Sequence, residues 1–180
     1  MEQRNREQTA LLRLVMAALL AAMTCVATMV LVVPSPTGGY MNLGDAVVLL
    51  GAFLLGPVYG AAAGGIGAAL ADLLAGYALY VPATLVIKAL MGAVAGLLWR
   101  GVRHRLPRLG LVLCGIAGEG IMVAGYWLYD GFLMHSLTGA AAGIPSNLVQ
   151  AVFGIAAGAL LTAALRNTKA AGRLFSDGLR

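Results

Sequence analysis

Apolar residues fill most of this chain in long runs, and polar residues interrupt them at a few points. The runs cover residues 9–33, 45–55, 58–79, 83–101, 109–130 and 144–166. Five of them are long enough to cross a hydrocarbon core of roughly 30 Å as a helix. The run at 45–55 reaches only about 16 Å at about 1.5 Å per residue, and Gly56-Pro57 follows it. The pattern predicts an all-α integral membrane protein of six transmembrane helices, the second of them short.

The composition supports a membrane protein, because 61% of the 180 residues are hydrophobic and only 11% are charged. An average soluble domain is roughly 45–50% apolar and about 25% charged. A water-soluble enzyme, a nucleic-acid-binding domain and a disordered chain are therefore excluded. We expect residues 1–180 to form a single transmembrane domain in the plasma membrane of a prokaryotic-type cell.

The basic residues decide how often the chain crosses the membrane. Of the 12 Lys and Arg residues, 11 lie in the N-terminal segment, in the 100–108 loop or in the C-terminal segment. They are Arg4, Arg6, Arg13, Arg100, Arg103, Arg105, Arg108, Arg166, Lys169, Arg173 and Arg180. With six crossings all of them share one side, whereas five crossings would split them. Because cytoplasmic loops carry the excess of Lys and Arg, six crossings with both termini cytoplasmic are predicted.

Few polar side chains lie inside the apolar runs, and they share helix faces with small residues. Asp72 follows Gly60, Gly64 and Ala68 at intervals of four. Residues four apart share a face, and small residues let helices approach closely. A charge in the bilayer costs at least a few kcal/mol unless it is paired or lines a polar cavity. The polar faces should therefore converge inside the bundle.

Two interpretations of these charges are open. In one, Asp72 forms a salt bridge with Lys88 and Glu119 is hydrogen-bonded within the bundle. In the other, the polar side chains line a ligand cavity in the outward half, capped by loops 34–44 and 130–143. Asp45 is a plausible helix N-cap at the end of the first loop. The candidate substrate-binding residues are Tyr40, Asn42, Asp45, Asp72, Tyr80, Lys88, Glu119, Tyr126, Asn147 and Gln150.

Several chemical functions lack their signatures in this sequence. There is no GxxxxGK[ST] loop for ATP and no HExxH or GxSxG motif. Cys25 and Cys114 lie in apolar runs without metal-ligand spacing, and they are interpreted as packing residues. No metal or cofactor is expected. A membrane-embedded transferase is thus less favoured than a binding protein or a structural or assembly subunit.

Small residues also mark the first helix. Ala17, Ala18, Ala21 and Ala22 form two overlapping Ala-xxx-Ala pairs. Such pairs support ordinary internal packing or a docking surface for another membrane subunit.

The stretch MNLGDAVVLLGAFLLGPVYGAAAGGIGAALADLLAGYALYVPATLVIKALMG (Met41–Gly92) resembles the substrate-binding S component of energy-coupling factor (ECF) vitamin transporters. The Ala-xxx-Ala helix and PSNLVQAVFGIAAG (Pro145–Gly158) are similar to the same family. The resemblance implies six helices with cytoplasmic termini and an outward vitamin pocket closed by the loop after the first helix. It also implies a partner module of one transmembrane coupling protein and two ATPases, which would hydrolyse the ATP. The four alanines would then contact the coupling protein.

The charges inside the membrane rank the possible ligands. Asp72 and Glu119 are acidic and Lys88 is the single base there, so a strongly anionic ligand such as folate is disfavoured. A compact heteroaromatic compound fits better, either pyridoxine-like or the hydroxymethylpyrimidine precursor of thiamine, with riboflavin next. Asn147 and Gln150 could bind ring edges, since an amide offers both donors and an acceptor.

Overall fold

The computed structural model describes residues 2–166 and Thr168 of the chain, without the side chains of residues 2–6. Of the basic residues that set the predicted topology, Lys169, Arg173, Arg180 and the side chains of Arg4 and Arg6 lie outside this part. The helices are α1 Glu2–Val30, α2 Gly44–Leu55, α3 Pro57–Leu74, α4 Val81–Val102, α5 Leu109–Leu133, α6 Leu137–Ala140 and α7 Ile144–Arg166. A hairpin of two short antiparallel strands, β1 Val33–Pro34 and β2 Tyr40–Met41, follows α1.

Helical segments long and apolar enough to cross a membrane number five within the described residues. They lie in α1, α3, α4, α5 and the stretch from α6 to α7, while α2 is shorter, with 12 residues. This agrees with the predicted all-α membrane fold and its short second helix.

The predicted helix ends differ from the observed ones where turns replace apolar helix. α3 ends at Leu74 rather than near residue 79. Gly76 then adopts φ +85°, and the Tyr77 N–H donates to the Asp72 carbonyl oxygen at 2.8 Å. Because this left-handed conformation suits glycine and ends a helix, residues 75–80 form a turn despite their apolar character. α1 ends at Val30 because β1 pairs with β2.

The short helix α2 is the centre of the bundle. It packs against α1, α3, α4 and α7, and all but the last of its residues are buried. Close approach is possible because α3 carries glycines, and a methyl group at Gly60 would lie 2.5 Å from the Ala52 Cα. Its Leu49 and Phe53 join Met91, Trp99 and Met122 in the main core. Because protein surrounds α2, this helix does not have to be long enough to span the lipid bilayer.

The two alanine pairs of α1 face in different directions. Ala17 is buried, and Ala21 is half-buried against α3, where a methyl group at Gly67 would overlap the Ala21 carbonyl oxygen. Ala18 and Ala22 are exposed. Internal packing therefore uses one pair, and the other stays on the outside of the bundle.

Candidate ligand-binding site

A small polar cavity of about 30 Å³ lies where the hairpin meets the bundle. Its walls come from the hairpin, the end of α3, the beginnings of α4 and α7, and the second half of α5. The lining residues are Ser35, Thr37, Gly39, Tyr40, Asn42, Asp72, Tyr80, Thr84, Tyr126, Asp130 and Asn147. Most of these side chains carry a hydroxyl, amide or carboxylate group, so the cavity suits a ligand with several polar groups.

Three hydrogen bonds tie the hairpin to other elements. The Tyr40 hydroxyl donates to Asp72 Oδ1 of α3 at 2.6 Å. The Tyr80 hydroxyl, just before α4, lies 3.3 Å from the Thr37 carbonyl oxygen. The Ser35 and Ser146 hydroxyls lie 3.2 Å apart, which joins the hairpin to α7. The hairpin thus closes the cavity from the outer side.

Two tyrosines act as fixed donors at this boundary. Burial raises the pKa of Tyr40, and its hydrogen bond to Asp72 raises it further. Burial also raises the pKa of Tyr80, together with its bond to Asp130 Oδ1 at 2.9 Å. Both hydroxyls therefore keep their protons at neutral pH and donate to carboxylates.

The two carboxylate oxygens of Asp72 differ in their hydrogen bonding. Oδ1 accepts from Tyr40, whereas Oδ2 is buried without a hydrogen-bond partner among the described residues. The Thr84 and Tyr126 hydroxyls lie 2.9 Å apart beside the same cavity. A buried acceptor without a donor costs about 1–3 kcal/mol, so a bound donor would be favoured at Oδ2.

Below the cavity, four polar residues form a closed network. Lys88 of α4 makes an ion pair with Asp45 Oδ1 of α2. The Gln150 Nε2 of α7 donates to Asp45 Oδ2 at 2.6 Å, and its Oε1 accepts from the Asn42 backbone N–H at 2.7 Å. Lys88 also lies 5.4 Å from the Tyr126 ring centroid. This network joins α2, α4, α5 and α7.

The structure contradicts one of the two open interpretations of these charges, the pair of Asp72 with Lys88, and also the prediction that Asp45 caps α2. Lys88 pairs with Asp45 rather than with Asp72, because the buried α2 brings Asp45 against α4. Asp45 is not the N-cap of α2, since the helix already begins at Gly44. Asn42 supplies the acceptor at this helix end, with Oδ1 2.9 Å from the Gly44 N–H. The Asp45 side chain is thereby free to enter the bundle.

Glu119 of α5 is a further acidic side chain buried within the bundle. It is 1% exposed, and neither carboxyl oxygen has a hydrogen-bond partner among the described residues, which differs from the interpretation in which Glu119 is hydrogen-bonded within the bundle. A methyl group at Gly154 of α7 would overlap its Oε1, so glycine keeps the space that the carboxyl group occupies. Glu119 also borders an apolar groove of about 630 Å³ between α5 and α7.

The structure divides the candidate residues into two groups. Those that line the cavity are Tyr40, Asn42, Asp72, Tyr80, Tyr126 and Asn147. Those outside the lining are Asp45, Lys88, Glu119 and Gln150. The candidate set omitted Asp130, Thr84, Ser35 and Thr37, which also line it. Asp130 follows Tyr126 by four residues on α5, and that spacing was the available signal.

The cavity is too small for a vitamin in this conformation. A volume of about 30 Å³ leaves room for roughly two water molecules at about 10–15 Å³ each, whereas ligand pockets measure about 300–1,000 Å³. The hairpin supplies the lining residues Ser35, Thr37, Gly39 and Tyr40 and is joined to the helices through the three hydrogen bonds described above. We therefore expect ligand entry to require displacement of the hairpin.

Comparison with known proteins identifies one matching family and two similar proteins. The chain matches the family described as "ECF-type riboflavin transporter, S component" over residues 8–167. It is 40% identical over 135 residues to the "Uncharacterized protein in gap 3'region" of Pyrococcus woesei, with 74% of this chain and 87% of that protein covered. It is 31% identical over 136 residues to the "Thiamine precursor transporter HmpT" of Lactococcus lactis subsp. cremoris (strain MG1363), with 76% and 75% covered. The helices, the short central α2 and the match over most of the chain agree: this chain belongs to the family of S components of ECF-type riboflavin transporters.

Proposed function

We propose that the chain captures a small heteroaromatic vitamin or vitamin precursor in the cavity beneath the hairpin. As a member of the S-component family, it is a multi-pass protein of the plasma membrane and a transporter subunit rather than an enzyme. The observation that carries the proposal is the concentration of hydroxyl, amide and carboxylate side chains around one cavity. Such convergent polar groups within an apolar scaffold are typical of a binding site for a small polar molecule.

The favoured ligands are a pyridoxine-like compound or the hydroxymethylpyrimidine precursor of thiamine, and riboflavin comes next. The cavity offers the Tyr126 ring and the Asn42 and Asn147 amides to a flat ring with polar edges. The relative from Lactococcus lactis is named a thiamine precursor transporter, which supports the pyrimidine. The family description names riboflavin, so riboflavin remains a candidate ligand.

The partner in this proposal is an ECF module of a transmembrane coupling protein and two ATPases. The ATP would be hydrolysed by those partners and not by this chain. Of the four alanines on α1, we assign the contact to Ala18 and Ala22, because Ala17 and Ala21 pack inside the bundle. A face of small exposed residues permits a second helix to approach closely.

Ligand capture is tested with the purified, detergent-solubilised chain. Mass spectrometry of co-purifying small molecules identifies the ligand, and a thermal-shift screen across B vitamins ranks affinities. We expect the largest shift from one of the three named compounds. An Asn147→Leu variant, which fills the cavity wall without touching Asp45, should lose the shift and keep its melting temperature. Tightest binding to folate or biotin, or no vitamin binding at all, would contradict the proposal and favour a structural subunit.

Docking is tested by co-purification with a co-expressed ECF module. Ala18→Leu and Ala22→Leu should reduce recovery of the coupling protein while vitamin binding is kept. Ala156→Leu is the matched control, because Ala156 is an exposed alanine on α7. Equal losses from all three substitutions would exclude a specific α1 surface.

A further inference from the structure

The charges around the cavity point to a narrower class of ligand, and this inference rests on the proposed function. We infer that the site selects an amino-substituted nitrogen heterocycle, with Asp72 and Asp130 as the acceptors for its N–H groups. A ligand that carries a phosphate, a carboxylate or a ring carbonyl at the same position is selected against.

Among the residues that the structure describes, two carboxylates and no basic side chain line the cavity. Asp72 is 4% exposed and Asp130 is 3% exposed, and both contribute to the wall. The buried cation Lys88 is not in the lining and is paired with Asp45. An anionic ligand would therefore face two carboxylates without a compensating charge, and like charges placed together cost several kcal/mol.

The two carboxylates share a common arrangement. Each accepts a tyrosine hydroxyl through Oδ1, with Tyr40 on Asp72 at 2.6 Å and Tyr80 on Asp130 at 2.9 Å. These tyrosines hold the carboxylates in place and use one oxygen of each. Asp72 Oδ2 is buried and has no donor among the described residues. An acceptor held in place next to the cavity is suited to a donor on the ligand.

An amine satisfies this acceptor better than other groups. An exocyclic amine conjugated with a ring nitrogen donates N–H bonds and acquires positive character. Hydrogen bonds that involve a charged partner are roughly twice as strong as neutral ones. A carbonyl at the same position would place an acceptor against a carboxylate, and the desolvated Asp72 would stay unpaired. The side chains of Asn42, Asn147 and Thr84 can each donate a hydrogen bond to a hydroxyl substituent of the ligand or accept one from it.

The decisive experiment compares two ligands of nearly identical shape. They are the hydroxymethyl aminopyrimidine precursor of thiamine and its oxo analogue, in which a ring carbonyl replaces the exocyclic amine. Isothermal titration calorimetry on the full-length chain in detergent measures both affinities, with pyridoxine and riboflavin titrated alongside. Sites built to bind a polar group can reject analogues that lack it by large factors. We expect the oxo analogue to bind at least about 100-fold more weakly than the amine.

The variants locate the selectivity in the two carboxylates. Asp72→Asn keeps the side-chain shape but replaces one of the two acceptor oxygens with an amide donor. The preference for the amine over its oxo analogue should therefore fall below about ten-fold. Asp130→Asn should also weaken amine binding. Glu7→Gln, a carboxylate-to-amide change at an exposed position, should leave both affinities unchanged.

Each outcome separates this inference from the proposed function. Equal binding of the amine and its oxo analogue, or an unchanged preference in both Asp variants, overturns the inference. If riboflavin or pyridoxine binds more tightly than the amine, the inference fails while the proposed function stands. If no vitamin binds, the proposed function fails as well. The comparison of the amine with its oxo analogue uses the wild-type chain. It can therefore refute the inference even if Asp72→Asn folds poorly.

Discussion

The cavity and the network beneath it use the same kinds of side chain in different states of hydrogen bonding. In the network, both oxygens of Asp45 and both polar atoms of Gln150 have partners. At the cavity, Asp72 retains an oxygen that has no donor in the described part of the chain. Asn147 and Gln150 lie within a turn of each other on α7, yet only Asn147 reaches the cavity wall.

This difference separates stability from binding. A polar group whose partners all lie within the protein is expensive to disturb, because its removal leaves buried groups unpaired. A group with remaining hydrogen-bonding capacity next to a cavity contributes little to folding and is available to a ligand. We therefore expect substitutions in the network to act on stability, and substitutions in the cavity wall to act on affinity.

The largest effect is expected from Lys88→Met. It leaves Asp45 as a buried charge without its ion-pair partner, which costs about 3–5 kcal/mol. The melting temperature of the purified protein should fall sharply, or the protein should fail to accumulate in the membrane. Lys88→Met combined with Asp45→Asn should recover much of the loss, because no unpaired charge remains. A single variant as stable as the wild type would show that the ion pair is dispensable.

The next effect is expected from Gln150→Leu. It removes the partners of Asp45 Oδ2 and of the Asn42 N–H, at about 1–3 kcal/mol for each unsatisfied group. Thermal unfolding should show this loss, whereas Asn147→Leu, three residues away, should retain stability. If the two variants were equally destabilised, the division between cavity and network would not hold on α7.

A smaller effect is expected from Ala21→Leu on α1. The added side-chain atoms crowd the close contact between α1 and Gly67 of α3. Such overpacking lowers the free energy of unfolding by about 1–3 kcal/mol. Ala18→Leu adds the same atoms to the exposed face and should change stability by no more than about 0.5 kcal/mol. Melting temperatures of the two variants give the comparison directly. A larger loss for Ala18→Leu would reverse the assignment of the two faces.

The smallest effect is expected from Ser146→Ala. It removes the hydrogen bond between α7 and Ser35 of the hairpin without altering a residue of the cavity lining. A neutral hydrogen bond contributes about 0.5–1.5 kcal/mol, so the bound ligand should dissociate up to about ten-fold faster. The rate is measured by competition with unlabelled ligand in excess. An unchanged rate would mean that the hairpin is held mainly by Tyr40 and Tyr80.

The sequence predicts the membrane architecture well because apolar run length and basic-residue placement are local properties. The short second helix and its Gly56-Pro57 end are visible as a pattern and are present in the structure. The end of α3 is not predictable from apolar character alone. It depends on the turn at Gly76, whose φ of +85° leaves the helix while the sequence stays apolar.

Side-chain partners are the part that the sequence predicts poorly. Helical spacing places Asp72 and Lys88 on inward faces, and they are buried there. It does not reveal that α2 lies at the centre and presents Asp45 to Lys88. Which side chains pair depends on how each helix is rotated about its axis and how far it is shifted along the bundle. Both depend on contacts between helices, such as that of Gly60 with Ala52. Asp130 was missed because it lies at a predicted loop boundary.

The small volume of the closed cavity has a kinetic consequence. If the hairpin must move before a ligand enters, only the open fraction of molecules can bind at any moment. The apparent affinity is then reduced by that fraction. If opening precedes binding, the observed association rate should rise with ligand concentration and then level off at the opening rate. The hydrogen bonds of Tyr40, Tyr80 and Ser35 would thus set a time constant for vitamin capture as well as its strength.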